Sequence, residues 1–486
     1  MLGWNDFRLV FRDIGTIIEY SALTFVIPII AAILFLEPLT NVVFYALAGA
    51  LAFLFGKILK YSFESKQETT LKHAFLAVSL VWLFYCFFAS LPFTLISNMP
   101  LVHAFFETMS ALTTTGLTVI PLNELSLIPN SLIFWRSFLS WLGGIGIIVL
   151  AMVGVLSTYT KTTKLVQVEG RSDYIRPNLK NTVKEIWKIY IILTAIGIVI
   201  LLVTGMSFFD SVNYTMSAIS TTGMDSNAMG LSGIFNPGIV IGLIVIMLLG
   251  ATTFSAHYLV FKKKNPLLYF SDLQFRLMLA MTIVSTIIIL PKMFLFFPDL
   301  MSSVMHSLFH VISSLTDGGF NLVSSANIAL WDDFTKIVLI CLMFVGGAAG
   351  STAGGIKLSR FWIMIKSIYW KVRETILPYH AFFSKKIEDK PVKDEVVSEV
   401  NKFILLYLAV ILIGIMVLTF QGFGLNNALF EVVSAQSNAG ISAGITSNTM
   451  PLLSEIMLII NMWVGRLEII PVLSILALMI TIKRRR

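Results

Sequence analysis

Hydrophobic residues occur in ten long stretches that short polar segments separate. A helix needs about 20 mostly apolar residues to cross the hydrocarbon core of a membrane, and most of the stretches are close to that length. They lie near residues 16–36, 39–60, 73–92, 132–156, 187–204, 237–261, 277–297, 334–349, 403–420 and 452–482. The pattern predicts an all-α polytopic membrane protein with about ten transmembrane helices.

A short motif recurs four times among these stretches. Each copy has eight residues, begins with Ser, has Gly at its seventh position and ends with a large apolar residue. The copies are octet 1 (Ser110–Leu117, SALTTTGL), octet 2 (Ser217–Met224, SAISTTGM), octet 3 (Ser313–Phe320, SSLTDGGF) and octet 4 (Ser434–Ile441, SAQSNAGI). An internal repeat of this kind indicates an architecture built from similar units.

The surroundings of the octets repeat as well. A short apolar stretch such as Leu101–Met109 precedes each octet, and it is too short to span a bilayer. One spanning stretch lies before it and another follows the octet, so the predicted unit is helix, pore helix, octet, helix, repeated four times around a central pore. The predicted divisions are an N-terminal transmembrane helix pair at 1–70 and pore repeats at 71–160, 161–262, 263–372 and 373–486, the third with an interrupted last helix.

The positive charges predict the orientation in the membrane. Lys and Arg concentrate in alternate loops, and none occurs from Ile189 to Phe261. Because cytoplasmic loops are enriched in Lys and Arg, both termini are predicted to lie in the cytosol and all four octets on the external side. All units then have the same orientation, which permits an axis along the membrane normal, whereas inverted-repeat transporters alternate in orientation.

Composition narrows the class of protein further. Apolar residues make up 57% of the 486 residues and charged residues only 13%, which is too little charge to cover the surface of a soluble protein. The net charge of +8 lies in alternate loops, so it predicts a lipid bilayer and no nucleic acid as partner. The sequence contains no catalytic constellation, and neither an enzyme nor a covalently bound cofactor is predicted.

The octets have the chemistry of an ion path. Irregular backbone at membrane depth is tolerated only where it is buried in protein or lines a water-filled cavity, and rings of backbone carbonyls can replace the hydration shell of K⁺. The C-terminal ends of the pore helices are the negative ends of their dipoles, which favours a cation. The sequence therefore predicts a selectivity filter, with K⁺ as the transported ion bound only there. Its residues are Thr114, Thr115, Gly116, Thr221, Thr222, Gly223, Asp317, Gly318, Gly319, Asn438, Ala439 and Gly440.

A glycine-rich interruption breaks the last helix of the third unit. Five glycines among ten residues make a continuous helix unfavourable, so the segment predicts a loop within the membrane that gates the path from the cytosolic side. Tight packing of small residues between helices is the alternative. The predicted gate consists of Gly346, Gly347, Ala348, Ala349, Gly350, Ser351, Thr352, Ala353, Gly354 and Gly355, together with Arg466.

Charged residues near the membrane centre are functional candidates because their burial is costly. Arg466 lies near the middle of the last apolar stretch, and we predict that it donates to carbonyls of the 346–355 loop and holds it closed. On the external side, Glu107 and Glu431 each lie three residues before the Ser of an octet. They are candidates for raising the local cation concentration.

These motifs together resemble the Trk/Ktr potassium transporter superfamily, and most of all its TrkH-type membrane subunits. The resemblance covers nearly the whole chain. It rests on the four octets, on WLGGIGI at 141–147, on VGGAAGSTAGGIK at 345–357 and on GRLE at 465–468. It implies that the seventh-position glycines are filter glycines, that 346–355 is an intramembrane gating loop and that Arg466 contacts it. Asp317-Gly318 and Asn438-Ala439 replace Thr-Thr in octets 3 and 4, so the filter is only pseudo-symmetric. Gly116, where related plant transporters that select Na⁺ have Ser, favours K⁺.

The resemblance also implies partners and a location. Such proteins form homodimers in the cell inner membrane, each protomer with its own pore. A cytosolic RCK-type regulatory subunit, TrkA-like, binds the nucleotide (ATP/ADP or NAD) and opens the pore; the nucleotide is expected on that partner and not on this chain. Candidate docking segments are 157–186, 262–276 and 371–400.

Two other functions remain open at this point. One is a secondary carrier that couples K⁺ to Na⁺ or H⁺, because ionisable residues such as Arg466 lie within the apolar stretches. The other is the ion-conducting subunit of an ATP-driven pump, as in the Kdp system, whose membrane subunit shares the four-repeat plan.

Overall fold

The computed structural model describes residues 4–65, 67, 69–146, 179–234, 236–378, 384–388, 390–469 and 471–472. Nearly all of the regular structure in these ranges is α-helical. The helices are α1 Trp4–Ser21, α2 Val26–Leu34, α3 Leu39–Ser62, α4 Leu71–Ser97, α5 Leu101–Leu112, α6 Asn130–Ile145, α7 Leu179–Val203, α8 Phe208–Ile219, α9 Gly230–Gly233, α10 Pro237–Gly250, α11 Phe254–Lys263, α12 Leu273–Met293, α13 Leu300–Leu315, α14 Ser325–Ala329, α15 Asp333–Val345, α16 Leu358–Ile376, α17 Asp394–Phe420, α18 Leu425–Ser437 and α19 Leu452–Arg466. Short 3-10 helices cover Ala22–Phe25, Leu122–Leu127 and Pro266–Ser271, and the strands β1 (Lys386–Ile387) and β2 (Lys390–Pro391) pair antiparallel.

The described helices have the length and surface of membrane spans. Six are long and apolar enough by themselves: Asp6–Leu34, Leu39–Ser62, His73–Ser97, Asn181–Val203, Leu273–Met293 and Asp394–Phe420. Large apolar side chains such as Ile287 on α12 and Leu405 on α17 are more than 60% exposed, as expected of a face that meets lipid and not water. The predicted all-α polytopic membrane fold is confirmed, with the two-residue strands as a small exception.

The N-terminal pair packs closely on itself. Gly15 of α1 and Gly56 of α3 face each other, and a Cβ on Gly15 would lie 2.6 Å from the carbonyl oxygen of Gly56. Glycine at both positions therefore lets the two backbones touch, in the way that small residues favour contact between membrane helices. Lys60 and Glu19 add an ion pair of 2.7 Å across the same interface.

The four short helices α5, α8, α13 and α18 precede the octets, and we call them the pore helices. N-terminal capping residues mark where two of them begin. The side chains of Ser207 and Asp299 accept from the backbone N–H groups of Asp210 and Ser302 at the beginnings of α8 and α13, as capping residues do. Pro100 stands directly before α5. Each pore helix ends within its octet, so helix and octet form one continuous re-entrant segment.

Contacts among the units close a ring. Each pore helix touches the helix before it and the helix after it in its own unit, and it also touches the last helix of the preceding unit. The contacts with the preceding unit join α5 with α19, α8 with α6, α13 with α10 and α18 with α15. Because α5 of the first unit meets α19 of the fourth, the four units surround a common axis.

The last helix of each unit, α6, α10, α15 or α19, is short in the described residues, and we call these four the second helices. One continuous helix over 237–261 was predicted, and this prediction is wrong. The chain bends by 102° between α10 and α11, where the side chain of Thr253 caps the start of α11 by accepting from Ser255 N. The interruption of the third unit is present: α15 ends at Val345 and helix resumes at Leu358. The continuous helices predicted over 132–156 and 452–482 are wrong as well: α6 ends at Ile145, before Gly146 with a φ of 94°, and α19 ends at Arg466, before Glu468 and Ile469 with φ of 59° and 61°. Residues 147–156 and 473–482 lie outside the described residues.

Candidate functional site: the ring of octets and the loop on its inner side

All four octets adopt the same backbone conformation. The fifth residue of each has a positive φ of 54–57° and the seventh, always Gly, a positive φ of 72–94°. In each octet the backbone N–H of the sixth residue donates to the carbonyl of the first, at 2.7–2.9 Å. The fifth residues are Thr114, Thr221, Asp317 and Asn438. A positive φ is unusual for a side-chain-bearing residue, above all for Thr, and such conformations persist only where the surroundings impose them.

The repeated Ser at the first position closes octets 1 to 3 on themselves, whereas the Ser434 hydroxyl of octet 4 has no hydrogen-bond partner among the described residues. The Ser110 hydroxyl accepts from Gly116 N at 3.0 Å, and the Ser217 hydroxyl accepts from Met224 N at 2.7 Å. In octet 3 the Ser313 hydroxyl donates to Phe320 O at 2.7 Å. The Ser therefore ties the end of the pore helix to the backbone that returns from the axis.

The four seventh-position glycines meet at the axis. A Cβ on Gly116 would lie 1.7 Å from the carbonyl oxygen of Thr222, and one on Gly440 would lie 1.9 Å from that of Thr115. A Cβ on Gly319 would lie 2.2 Å from Thr222 O and 2.8 Å from Ala439 O. Cβ atoms essentially never approach backbone this closely, so backbone carbonyls and no side chains occupy the centre of the ring. All twelve residues of the predicted filter are buried in this ring.

A second contact repeats in octets 1, 2 and 4, on the side of the ring that the positive charges predict to be external and that we call outer. There the residue three positions before the octet bonds to the residue directly after it: Glu107 accepts from Thr118 Oγ1 at 2.9 Å, Tyr214 donates to Asp225 Oδ1 at 2.9 Å, and Glu431 accepts from Ser442 Oγ at 2.8 Å. The proposed role of Glu107 and Glu431 in attracting cations is not what their surroundings support. Both are fully buried, and their carboxylates hold the returning backbone through Val119 N and Ala443 N as well.

Two cavities border the ring. The outer cavity is lined by all four seventh-position glycines and by the segments that return from them. The inner cavity is lined by Asn438, by Gly350, Ser351, Gly354 and Gly355 of the interrupted segment, and by Arg466. The interrupted segment therefore lies on the opposite side of the ring from the outer cavity.

Residues 346–355, which we call the gate loop after the role predicted for them, bond directly to two other units. Toward the second unit, the Thr352 hydroxyl bonds to the carbonyls of Ile219 and Gly250, both at 2.9 Å, and Ala348 N donates to Ala251 O at 3.0 Å. Toward the fourth unit, Gly355 N donates to Ser437 O at 2.9 Å. The predicted contact of Arg466 is also present. Its guanidinium donates to Thr352 O at 2.9 Å and to Gly143 O of the first unit at 2.6 Å.

Several residues of this inner region were not identified from the sequence. Lys357 donates to the carbonyl of Ala353, Gln274 accepts from Ala349 N at 2.8 Å, and Arg360 pairs with Glu468 at 2.5 Å. Lys357 lies in the motif at 345–357 and Glu468 in the motif at 465–468. Their closeness in sequence to the gate loop and to Arg466 was the one signal that could have identified them. Gln274 has no such signal, since it lies on α12 far away in sequence.

The predicted docking segments are only partly described. Residues 157–178 lie outside the described ranges. Residues 262–276 and 371–400 come together, because Arg276 forms an ion pair with Glu388 beside the β1–β2 hairpin. Lys385 next to it bonds to Asp394 at 2.6 Å and Glu374 at 2.8 Å.

Comparison with known proteins gives one consistent result. The family model TrkH, described as a cation transport protein, matches residues 43–482. An uncharacterized cation transporter of Methanocaldococcus jannaschii is 33% identical over 97% of this chain and 96% of its own length. The Trk system potassium uptake protein TrkH of Escherichia coli is 27% identical over 96% of this chain and 98% of its own. The crystal structure of the potassium transporter TrkH from Vibrio parahaemolyticus superposes with a TM-score of 0.84 at 26% identity, covering 97% of this chain and 98% of that one. The chain therefore belongs to the TrkH family of cation transport proteins.

Proposed function

We propose that this chain mediates K⁺ uptake through a gated, K⁺-selective, channel-like pore whose filter is the ring of octets. The observation that carries the proposal is the meeting of the four glycine backbones at one axis, with the carbonyls of Thr115, Thr222 and Ala439 directed among them. Such carbonyls can replace water around a monovalent cation. The pore helices end at the ring, and their negative dipole ends disfavour an anion there.

Two further findings support K⁺ as the ion. Relatives that match over nearly their whole length bear the name potassium uptake protein. In addition, Gly116 occupies the seventh position of octet 1, so all four octets can contribute the same backbone to the ring. On this view Thr114 to Gly116, Thr221 to Gly223, Asp317 to Gly319 and Asn438 to Gly440 form the filter.

The gate loop is the proposed barrier on the inner side. Its residues bond to units two and four, and Arg466 links the loop to unit one. A loop fixed by hydrogen bonds from several elements has a defined closed position, and the loss of a few of these bonds releases it. Arg466 is the proposed hold, because one guanidinium bonds to the loop and to α6 at the same time.

The proposal includes the setting in which the pore works. The chain acts as a homodimer in the cell inner membrane with both termini in the cytosol, and a cytosolic RCK-type nucleotide-binding subunit opens the gate loop. No cofactor is proposed on this chain, since the nucleotide belongs to the partner. The joined segments 262–276 and 371–400 are the proposed docking face among the described residues, because α16 connects this face directly to the gate loop.

Flux measurements on purified proteoliposomes test the proposal. The full chain and a variant lacking residues 347–353 are compared for K⁺, Rb⁺ and Na⁺ uptake. The deletion is feasible because the loop ends lie together: a Cβ on Gly346 would be 2.4 Å from Gly354 O. We expect K⁺ and Rb⁺ flux to exceed Na⁺ flux and the deletion to raise basal flux.

Two outcomes would contradict these expectations. Equal K⁺ and Na⁺ flux through the open variant would contradict K⁺ selectivity, and unchanged flux in a folded deletion variant would contradict the gate. Planar-bilayer recordings of the same variant separate pore from carrier. Uptake that depends on a Na⁺ or H⁺ gradient, without unitary currents, would favour the coupled carrier instead.

A further inference from the structure

The fifth position of the octets is where the four copies differ most in chemistry while their backbones agree. Thr114, Thr221, Asp317 and Asn438 share the same positive φ, yet only Asp317 has an acidic side chain. All four side chains are fully buried. A carboxylate at this depth is costly unless its surroundings compensate it, so octet 3 needs a reason for an acidic side chain that the other octets do without.

In octets 2, 3 and 4 the fifth side chain faces the glycine at the end of its own unit's second helix. A Cβ on Gly250 would lie 3.1 Å from Thr221 Cγ2, one on Gly465 would lie 3.1 Å from Asn438 Oδ1, and one on Gly346 would lie 2.9 Å from Asp317 Oδ2. In the third unit that glycine is the first residue of the gate loop. The side chain of Asp317 therefore connects the ring directly to the loop.

Asn438 and Asp317 differ in how they are held. The Asn438 amide donates to Thr115 Oγ1 at 2.9 Å and to Met462 O at 3.0 Å, so it has fixed partners within the ring and α19. Neither carboxylate oxygen of Asp317 accepts a hydrogen bond of normal geometry within the described part of the chain. What faces it instead is the gate loop, through the backbone N–H groups of Gly347 and Gly354.

The two basic residues that act on Asp317 also bond to the gate loop. They are Lys357 and Arg466, and each of them donates to a carbonyl of the gate loop, Ala353 O and Thr352 O respectively. The loop, the two cations and the carboxylate thus form one electrostatic unit. If the loop withdraws, the carboxylate loses the N–H dipoles that face it and the cations lose their fixed positions.

We propose that Asp317 is a positioning residue that couples the ring of octets to the gate loop, acting as an electrostatic latch in the closed state. The latch rests on the proposed function, since it presumes that the loop closes the path. Asp317 compensates the inward N–H groups of the loop and fixes the two cations that hold the loop's carbonyls. No other octet can do this, because the corresponding positions carry uncharged side chains.

Rb⁺ uptake by the full-length protein in proteoliposomes tests the latch. Asp317→Thr gives octet 3 the side chain of octets 1 and 2, and Asp317→Asn removes the charge while keeping the shape. Each is made in the full chain and in the variant lacking residues 347–353. The exposed Asp333→Asn serves as control for the loss of a carboxylate. Thermal unfolding in detergent identifies variants that fold, and Asp317→Asn carries the test if Asp317→Thr does not.

The latch predicts that Asp317→Thr raises basal Rb⁺ flux by roughly tenfold, as expected from the loss of charge-assisted contacts, and that Asp317→Asn raises it less. In the loop-deleted background neither substitution should raise flux further, because the latch has no loop to hold. Unchanged flux in the folded full-length variants, or the same rise in both backgrounds, would overturn the latch. If neither the full chain nor the loop-deleted variant passes Rb⁺, the proposed function itself has failed, which is a distinguishable result.

Discussion

The four octets and the four second helices belong to the same repeat, yet they differ in how well the repeat is kept. The octets share one backbone down to the signs of φ at two positions and one internal hydrogen bond. The second helices end in different ways: α10 bends by 102° into α11, α15 opens into the gate loop, and α19 ends at Arg466. The proposed filter requires equivalent carbonyls on four sides of a cation, whereas the proposed barrier needs only one element that moves.

Within the octets, the backbone repeats more strictly than the side chains. Asp317-Gly318 and Asn438-Ala439 adopt the conformation of Thr-Thr without its hydroxyls. The seventh residue is glycine in all four octets, and the hydroxyl of the first residue closes the turn in octets 1 to 3. Pseudo-symmetry therefore costs little in the ring, because the surface that faces the axis is made of carbonyls.

The largest expected effect comes from adding one methyl group to the ring. Gly116→Ala is matched by Gly205→Ala, since the two glycines have φ of 94° and 93°. Both substitutions cost about 1–2 kcal/mol of backbone strain, but only Gly116 has a neighbour in the way. Its Cβ would lie 1.7 Å from Thr222 O, whereas nothing lies within 4 Å of a Cβ on Gly205.

We expect Gly116→Ala to reduce Rb⁺ flux by roughly tenfold or more, since overpacking adds about 1–3 kcal/mol beyond the strain. Gly205→Ala should retain most of the flux with a modest loss of thermal stability. Proteoliposome uptake and thermal unfolding of both variants check the pair. Equal flux in the two variants would mean that the glycines do not meet at the ion path. The octets would then not owe their common backbone to ion binding.

The sequence predicts the symmetric part well for a physical reason. A backbone conformation that favours Gly must appear as the same letter at the same spacing, as it does in Gly116, Gly223, Gly319 and Gly440. The Ser that closes the turn in octets 1 to 3 repeats in the same way. The gate loop is also visible, because five glycines stop a helix, and the carbonyl contact of Arg466 follows from the cost of burying a charge.

The asymmetric part is less visible in the sequence. The bend after α10 arises where Gly250 is the only glycine near the break, and its cause is the cap that Thr253 provides for α11. Glu107 and Glu431 each bond to a residue eleven positions later in the chain. The sequence pattern does not reveal that these residues lie close together in the fold. Gln274 reaches the gate loop only through the packing of α12.

Arg466 provides the next test, on the asymmetric side of the comparison. Arg466→Ala removes donors to Thr352 O and Gly143 O, and charge-assisted hydrogen bonds are worth about 1.5–3 kcal/mol each. We expect basal Rb⁺ flux to rise roughly tenfold. Arg466→Lys keeps the charge but replaces a two-armed donor by a point charge, so it should raise flux part of the way. Wild-type flux in the Lys variant would mean that Arg466 acts as an electrostatic barrier and not as a hold on the loop.

The smallest effect on flux is expected at the outer clamp. Glu431 accepts from Ser442 Oγ, Ala443 N and Thr446 N at 2.8–3.0 Å, and Glu431→Gln places an N–H group where one of these donors now bonds. Leaving a buried donor unsatisfied costs about 1–3 kcal/mol, so the midpoint of thermal unfolding should fall clearly while flux per folded protein changes little. The exposed Glu124→Gln, which also removes an outer carboxylate, should leave the midpoint unchanged. If Glu431→Gln instead lowered K⁺ flux at low ionic strength and left the midpoint as it was, the carboxylate would be attracting cations. The outer side of the octets would then contribute to transport and not only to stability, unlike the role expected here.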